Sequence, residues 1–264
     1  MRDKPTEPLI TLLTDFGLKD HFAGVLKGVI ASIAPKTRVV DITHEVEPYC
    51  VAQAQFLLSQ SWPYFPKGTI HVAIVDPGVG GGRRPILVEA YGHRFVGPDN
   101  GLFGDLLIAP KARVRLIANS SHFLPDVSAT FHGRDVFAPI AAHLSLGVAP
   151  SRIGPLINDA VRQTEGREVQ DSNFAWTGTI VHADRFGNLI TNFPANYIPA
   201  AGRFVLTAAS YELRDRAASY SAIPPGQLAV VAGSSGYLEI AANQDSAARL
   251  LGLGVGTRVR LNLE

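Results

Sequence analysis

Residues 69–84 read TIHVAIVDPGVGGGRR, and the fold turns on how that run is parsed. Its first part, 69–75, has the length and β-branched content of a buried strand and delivers Asp76 to its carboxyl end. Pro77, Gly78, Val79 and three further glycines then form a loop, Arg83 and Arg84 close it, and 85–90 is apolar again. A carboxylate and a guanidinium therefore stand at the mouth of a strand, where open α/β sheets bind ligands, on backbone that a ligand can approach closely. Two polar loops of the same half, GPDNGLFG (97–104) and FHGRD (131–135), are read with it as one site.

Upstream, PLITLLT (8–14) reads as a strand ending in Asp15-Phe16-Gly17. Asp20 stands where an N-cap belongs, before a helix with Phe22, Val25, Leu26, Val29, Ile30 and Ile33 on one face, and Pro35 stops it. A second strand follows at 38–42, and Pro48 suits the first residue of a helix running to about Trp62. This alternation predicts parallel strands joined by right-handed crossovers. Downstream come shorter runs at 86–91, 94–96 and 113–118, a short helix around 102–108, and a helical period over 135–146.

The polar segment 158–173 reads as a linker. Beyond it, strand-like runs at 177–183, 188–192, 203–208, 228–232, 237–241 and 258–263 alternate with Gly, Pro and Asn clusters, and 246–251 is helical in pattern. The expectation is an α/β N-terminal domain over 8–157 with a mainly parallel sheet, then an all-β, barrel-like C-terminal domain over 174–264.

The 264 residues are 46% hydrophobic, enough for sizeable cores, and a formal charge of +1 argues against nucleic acid or an anionic membrane as partner. Cys50 is alone, so no intrachain disulfide forms. The N-terminus MRDKPTEP lacks a signal-like apolar core, and no apolar run reaches the roughly 18 residues that span a bilayer. A soluble cytoplasmic protein is expected.

Asp15, at a strand end, reads equally as an acceptor for two ribose hydroxyls or as a cap for the turn before Gly17. The glycine loop lacks a third glycine in dinucleotide register, is followed by a strand, and has no P-loop Lys-Ser/Thr. Asp76 and Arg83 make either a structural ion pair or a functional one, and their place around a glycine loop favours function. His132 divides evenly between a structural and a functional role. His21, His44, His71 and Asp41 show no metal-binding spacing, no metal is expected, and no GxSxG elbow is present. DRFGN (184–188) and GSSGY (233–237) read as hairpin turns.

Seven motifs occur in order: TDFGLKD (14–20), DITHEVEP (41–48), VDPGVGGGRR (75–84), GPDNGLF (97–103), FHGRDVFAP (131–139), DRFGNLITN (184–192) and GSSGYLEIAAN (233–243). Together they resemble the S-adenosyl-L-methionine hydroxide adenosyltransferase family, the former DUF62, whose relatives include fluorinating and chlorinating enzymes. The resemblance implies hydrolysis of S-adenosyl-L-methionine to adenosine and L-methionine without metal or organic cofactor. It also implies a homotrimer whose active sites lie between the N-domain of one chain and the C-domain of the next. The family's triad falls on Asp76, Arg83 and His132. Asp15 should hold the ribose hydroxyls, Tyr49 pack on the sugar and adenine side, and Gly133 replace the halide-binding serine of the halogenating relatives. Val79 replaces a threonine of the same halide pocket. Asp184, Asn188, Ser234 and the backbone at Ala242 and Gln244 should hold methionine and adenine polar groups. Ser235 departs from the arginine of the fluorinating relatives, which leaves the contact to the methionine carboxylate open. The competing readings are a non-catalytic adenosine or S-adenosylmethionine sensor and a halide-using transferase.

Overall fold

The computed structural model describes residues 8–162, 168–199 and 202–264. The chain divides into two compact units, Met1–Thr164 and Glu165–Glu264.

In the first unit, β1 (Leu9–Thr14), α1 (Phe22–Ile33), β2 (Arg38–Thr43), α2 (Val51–Ser61) and β3 (Ile70–Ile74) alternate as the sequence predicts. The antiparallel run β4 (Pro85–Ala90), β5 (His93–Pro98) and β6 (Arg113–Leu116) follows, and α3 (Ala138–Ser145) and β7 (Leu156–Ile157) close the unit. The sheet order is β2-β1-β3-β5-β4-β6-β7. The β2–β1, β1–β3 and β3–β5 ladders are parallel, whereas β5–β4, β4–β6 and β6–β7 are antiparallel. The expectation of a mainly parallel sheet is thus met in only half of it. Between 86 and 118, β4 and β5 form a hairpin and the chain then passes over β4 to place β6 on its other side, so each neighbouring pair there is antiparallel.

Both faces of this sheet are covered. Ile10, Leu12, Ile70, Val72 and Ile74 pack with Leu26 and Ile30 of α1 and Ile140 and Leu144 of α3. On the other face Leu13, Ala73, Val75 and Phe95 pack with Ala54 and Leu58 of α2. Two helix starts differ from expectation. His21, not Asp20, occupies the N-cap of α1. Pro48 lies ahead of α2, because Tyr49 takes φ 67°, a left-handed conformation that cannot belong to a helix.

The second unit contains β8 (Val169–Ser172), β9 (Ala175–Ala183), β10 (Leu189–Pro194), β11 (Phe204–Ala208), β12 (Tyr211–Leu213), β13 (Arg216–Ala217), β14 (Leu228–Ala232), β15 (Tyr237–Ala242), α4 (Ala247–Leu251) and β16 (Arg258–Leu263). Residues 163–167 of the expected linker lie outside the described residues, while β8, within the same expected stretch, is a strand paired with β9. The path β12-β11-β16-β9-β10-β15-β14-β13 is antiparallel except for its last pair, and β12 approaches β14 although several strands separate them along the path, so the sheet curls. Phe193, Leu206, Leu238, Ile240 and Leu261 form its core.

Candidate active site

Ile74 ends the central strand β3, buried Val75 follows it, and Asp76 begins the loop beyond. Two turns shape that loop, with Val79 N–H donating to Asp76 O and Gly81 N–H to Gly78 O. Gly80 sits at φ 75°, where a β-carbon would lie 2.2 Å from the Ala129 carbonyl oxygen. The loop returns Arg83 to Asp76. Arg83 Nε donates to both carboxylate oxygens at 2.8 and 2.9 Å, and Nη2 donates to Oδ2 as well. The two side chains are 9% and 6% exposed, so this is a buried, bidentate pair, unlike the weak ion pairs of a surface.

Arg83 Nη2 also reaches His132 Nδ1 at 2.9 Å. An arginine can only donate, so Nδ1 accepts and the neutral imidazole carries its proton on Nε2. Burial, then the neighbouring Arg83 charge, pushes the His132 pKa below its ordinary value, in agreement with that neutral form. A single π-helical turn, Gly133–Phe137, follows His132 and runs into α3. It places the Phe137 ring 5.4 Å from the guanidinium carbon of Arg83. Two of the three Arg83 nitrogens are thereby committed. Nη1 is buried and has no hydrogen-bond partner among the described residues.

Asp15 lies at the end of the neighbouring strand β1. Its Oδ2 accepts from Tyr49 N–H at 3.0 Å. Burial raises its pKa, and the negative charge of Asp76 adds to the rise, so the two carboxylates share one electrostatic neighbourhood. The structure thus brings Asp76, Arg83 and His132 into direct contact, with Asp15 beside them. Tyr49 joins through its backbone, and its ring is exposed. Gly133 is buried, and a β-carbon there would stand 3.2 Å from Phe131 and 3.4 Å from Ile74 and Leu26.

In the second unit the Asp184 carboxylate accepts from Phe186 N–H, Asn188 N–H and Asn188 Nδ2 at 2.8–2.9 Å. This self-stapled turn is the bland expectation for DRFGN. Leu189 pairs with Ile240, so Asn188 shares one end of the β10–β15 ladder with buried Ala242 and with Gln244, which is exposed at φ 58°. Ser234 is exposed in the turn at the opposite end of that ladder. Ser235 Oγ lies 3.5 Å from Oε1 of Glu239, whose Oε2 accepts from Tyr220 Oη at 2.7 Å. Burial and the nearby Asp184 charge raise the Glu239 pKa, and Tyr220 is pushed up to about 12 by burial and its bond to Glu239. The sequence reading missed Glu239. A lone carboxylate inside the apolar run YLEIAA was the available signal.

Among the described residues no group of three or more His, Cys, Asp or Glu side chains is placed to hold a metal ion. No helix among them is long and apolar enough to cross a membrane.

The SAM hydroxide adenosyltransferase N-terminal domain model matches residues 10–154, and the C-terminal domain model of the same name matches residues 178–260. The chain belongs to the SAM hydroxide adenosyltransferase family. Within that family it is 37% identical to a protein of Salinispora tropica named (R)-S-adenosyl-L-methionine hydrolase, over 96% of this chain and 97% of that one. It is 38% identical to a protein of the same name from Thermus thermophilus, over 96% and 98% of the two chains. A crystal structure of a conserved protein from Thermotoga maritima superposes with a TM-score of 0.87 at 34% identity, covering 96% of this chain and 99% of that one. All the residues of the Asp76–Arg83–His132 cluster fall within the N-terminal match.

Proposed function

We propose that this SAM hydroxide adenosyltransferase hydrolyses S-adenosyl-L-methionine to adenosine and L-methionine. The observation that carries the proposal is the uncommitted Nη1 of Arg83. A buried charged donor without a partner is costly, and an oxygen ligand is its natural complement.

The reaction is an in-line displacement at C5′ of the ribose. The water oxygen forms a bond to C5′ as the C5′–S bond breaks, and its electron pair leaves with sulfur to make the methionine thioether. Arg83 binds the incoming oxygen and favours its anionic form, and His132 Nε2–H supplies a second donor. His132 Nδ1 is occupied by Arg83, so it is not the base. The remaining lone pairs of the Asp76 carboxylate take the water proton. Hydroxide and sulfonium neutralise one another along the way, a step that a dry site favours.

In this reading Asp15 accepts the ribose hydroxyls through Oδ1 while Tyr49 N–H holds Oδ2. No metal or cofactor takes part. Gly133 offers no hydroxyl to a halide, and water is the nucleophile. The working form is a homotrimer in which Asp184, Asn188, Ser234, Ala242 and Gln244 of one chain complete the site of the next. Turnover in oxygen-18 water tests the reaction. The label is expected at the 5′ oxygen of adenosine, and binding without any product would instead make the protein a sensor.

A further inference from the structure

Strands β1 and β2 run in step from Leu9 opposite Arg38 to Leu12 opposite Asp41, and then the register slips so that Leu13 lies opposite Thr43. Just past this irregularity His44, 2% exposed, comes to rest against the end of β1. Its Nδ1 lies 2.8 Å from Thr14 Oγ1. Its carbonyl accepts Gly17 N–H at 2.7 Å, at the residue whose φ of 67° reverses the chain. Its Nε2 lies 3.1 Å from Asp41 Oδ1, within ion-pair range though out of line for a full hydrogen bond. Asp41 is held in turn by Lys27 of α1 at 2.6 Å. Thr14 Oγ1 reaches across Asp15 to accept Phe16 N–H at 3.2 Å. One histidine therefore grips the turn that carries Asp15 at both of its pivots, through its ring at Thr14 and through its backbone at Gly17.

We propose that His44, braced by Asp41 and acting through the Thr14 hydroxyl, is the positioning residue that aims the Asp15 carboxylate at its ligand. The proposal rests on the reading of Asp15 as the acceptor of the ribose hydroxyls. Thr14 is fully buried, so its hydroxyl is no nucleophile despite the hydroxyl–imidazole–carboxylate sequence of groups. What it does is fix the φ/ψ of the residue between its own backbone and its bonded neighbour, and a binding group held to a fraction of an ångström depends on such support.

The test is the split between KM and kcat, with adenosine affinity by calorimetry and Tm beside it. Thr14→Val removes the hydroxyl at nearly constant volume and is expected to raise KM and the adenosine Kd about tenfold, with kcat within about twofold. Thr14→Ser restores the hydroxyl and is expected to return both to near wild type. Asp41→Asn, on a half-exposed residue that keeps its shape, serves where Thr14→Val does not fold, and a rise of about threefold in KM is expected. A Thr14→Val protein with a lower Tm but unaltered KM and adenosine affinity overturns the proposal and leaves His44 a packing residue. Failure of the wild type itself to bind adenosine overturns the ribose reading of Asp15, and this inference falls with it.

Discussion

Arg83 holds Asp76 through Nε and Nη2 and His132 through Nη2, which leaves Nη1 as the nitrogen proposed to meet the attacking oxygen. On the proposed mechanism, replacing Arg83 by alanine removes the donor that favours the anionic form of the attacking water, and kcat should fall about 10²- to 10³-fold while the Kd for S-adenosylmethionine changes little. Single-turnover and equilibrium-binding measurements together check this. Asp15 makes a different prediction, because its pKa is raised by burial with a further rise from Asp76. Only the ionised carboxylate accepts two hydroxyls, so KM should climb as pH falls through that raised pKa, at a higher pH than an ordinary aspartate would give. In Asp15→Asn the climb should vanish, which a KM–pH profile will reveal. The pairing of Asp76 with Arg83 was readable in the sequence because they flank a glycine loop at a strand end. The bond that assigns the His132 tautomer was not, since 49 residues separate it from Arg83.

Short elements decide where these side chains go. Gly80 allows the loop to pass over Ala129, and Gly80→Ala meets both a left-handed φ and a carbonyl at 2.2 Å. A stability loss of about 1–3 kcal/mol is expected, measured by urea denaturation, together with reduced kcat as the Arg83 return is displaced. Apolar periodicity disclosed β1, α1, β3 and, in the second unit, β9, β10, β11, β14, β15 and β16, because burial and period agree there, but it passed over β8 and β12. It did not disclose the π-helical turn after His132, since one extra residue in a helix leaves no signature in a hydrophobic pattern. Nor did it separate parallel from antiparallel neighbours between 86 and 118, where both kinds of strand are buried on two faces. The two-residue strands β7 and β13 were too short for any period.

Across the whole molecule, the two units have separate cores and separate contributions to make. The first carries a latent acid sensitivity. His71 is fully buried, bonded to Thr11 at 2.7 Å and 3.2 Å from His93, and stacked on Phe95. Burial, then the His93 charge, lowers its pKa to about 3, whereas the unfolded chain titrates near 6.5. Its contribution to stability is therefore complete above about pH 6.5 and is lost as pH falls from there towards 3, by up to about 1.4 kcal/mol per unit. Calorimetric Tm between pH 7 and 4 should decline, and less steeply in His71→Gln. If sites are shared between copies, co-refolding an Arg83→Ala chain with an Asp184→Ala chain should recover part of the activity that each has lost. Sites confined to one chain predict no recovery.

The turn that carries Ser234 has a consequence of its own. A methyl group on Gly233 would lie 1.7 Å from Oε1 of Glu239, an oxygen that also faces Ser235 while its twin is tethered by Tyr220. Positions 233 and 239 are therefore linked, since any side chain at 233 obliges that of Glu239 to move. A laboratory library that puts a larger residue at 233 is best paired with variation at 239, so that the carboxylate and the new side chain are chosen together.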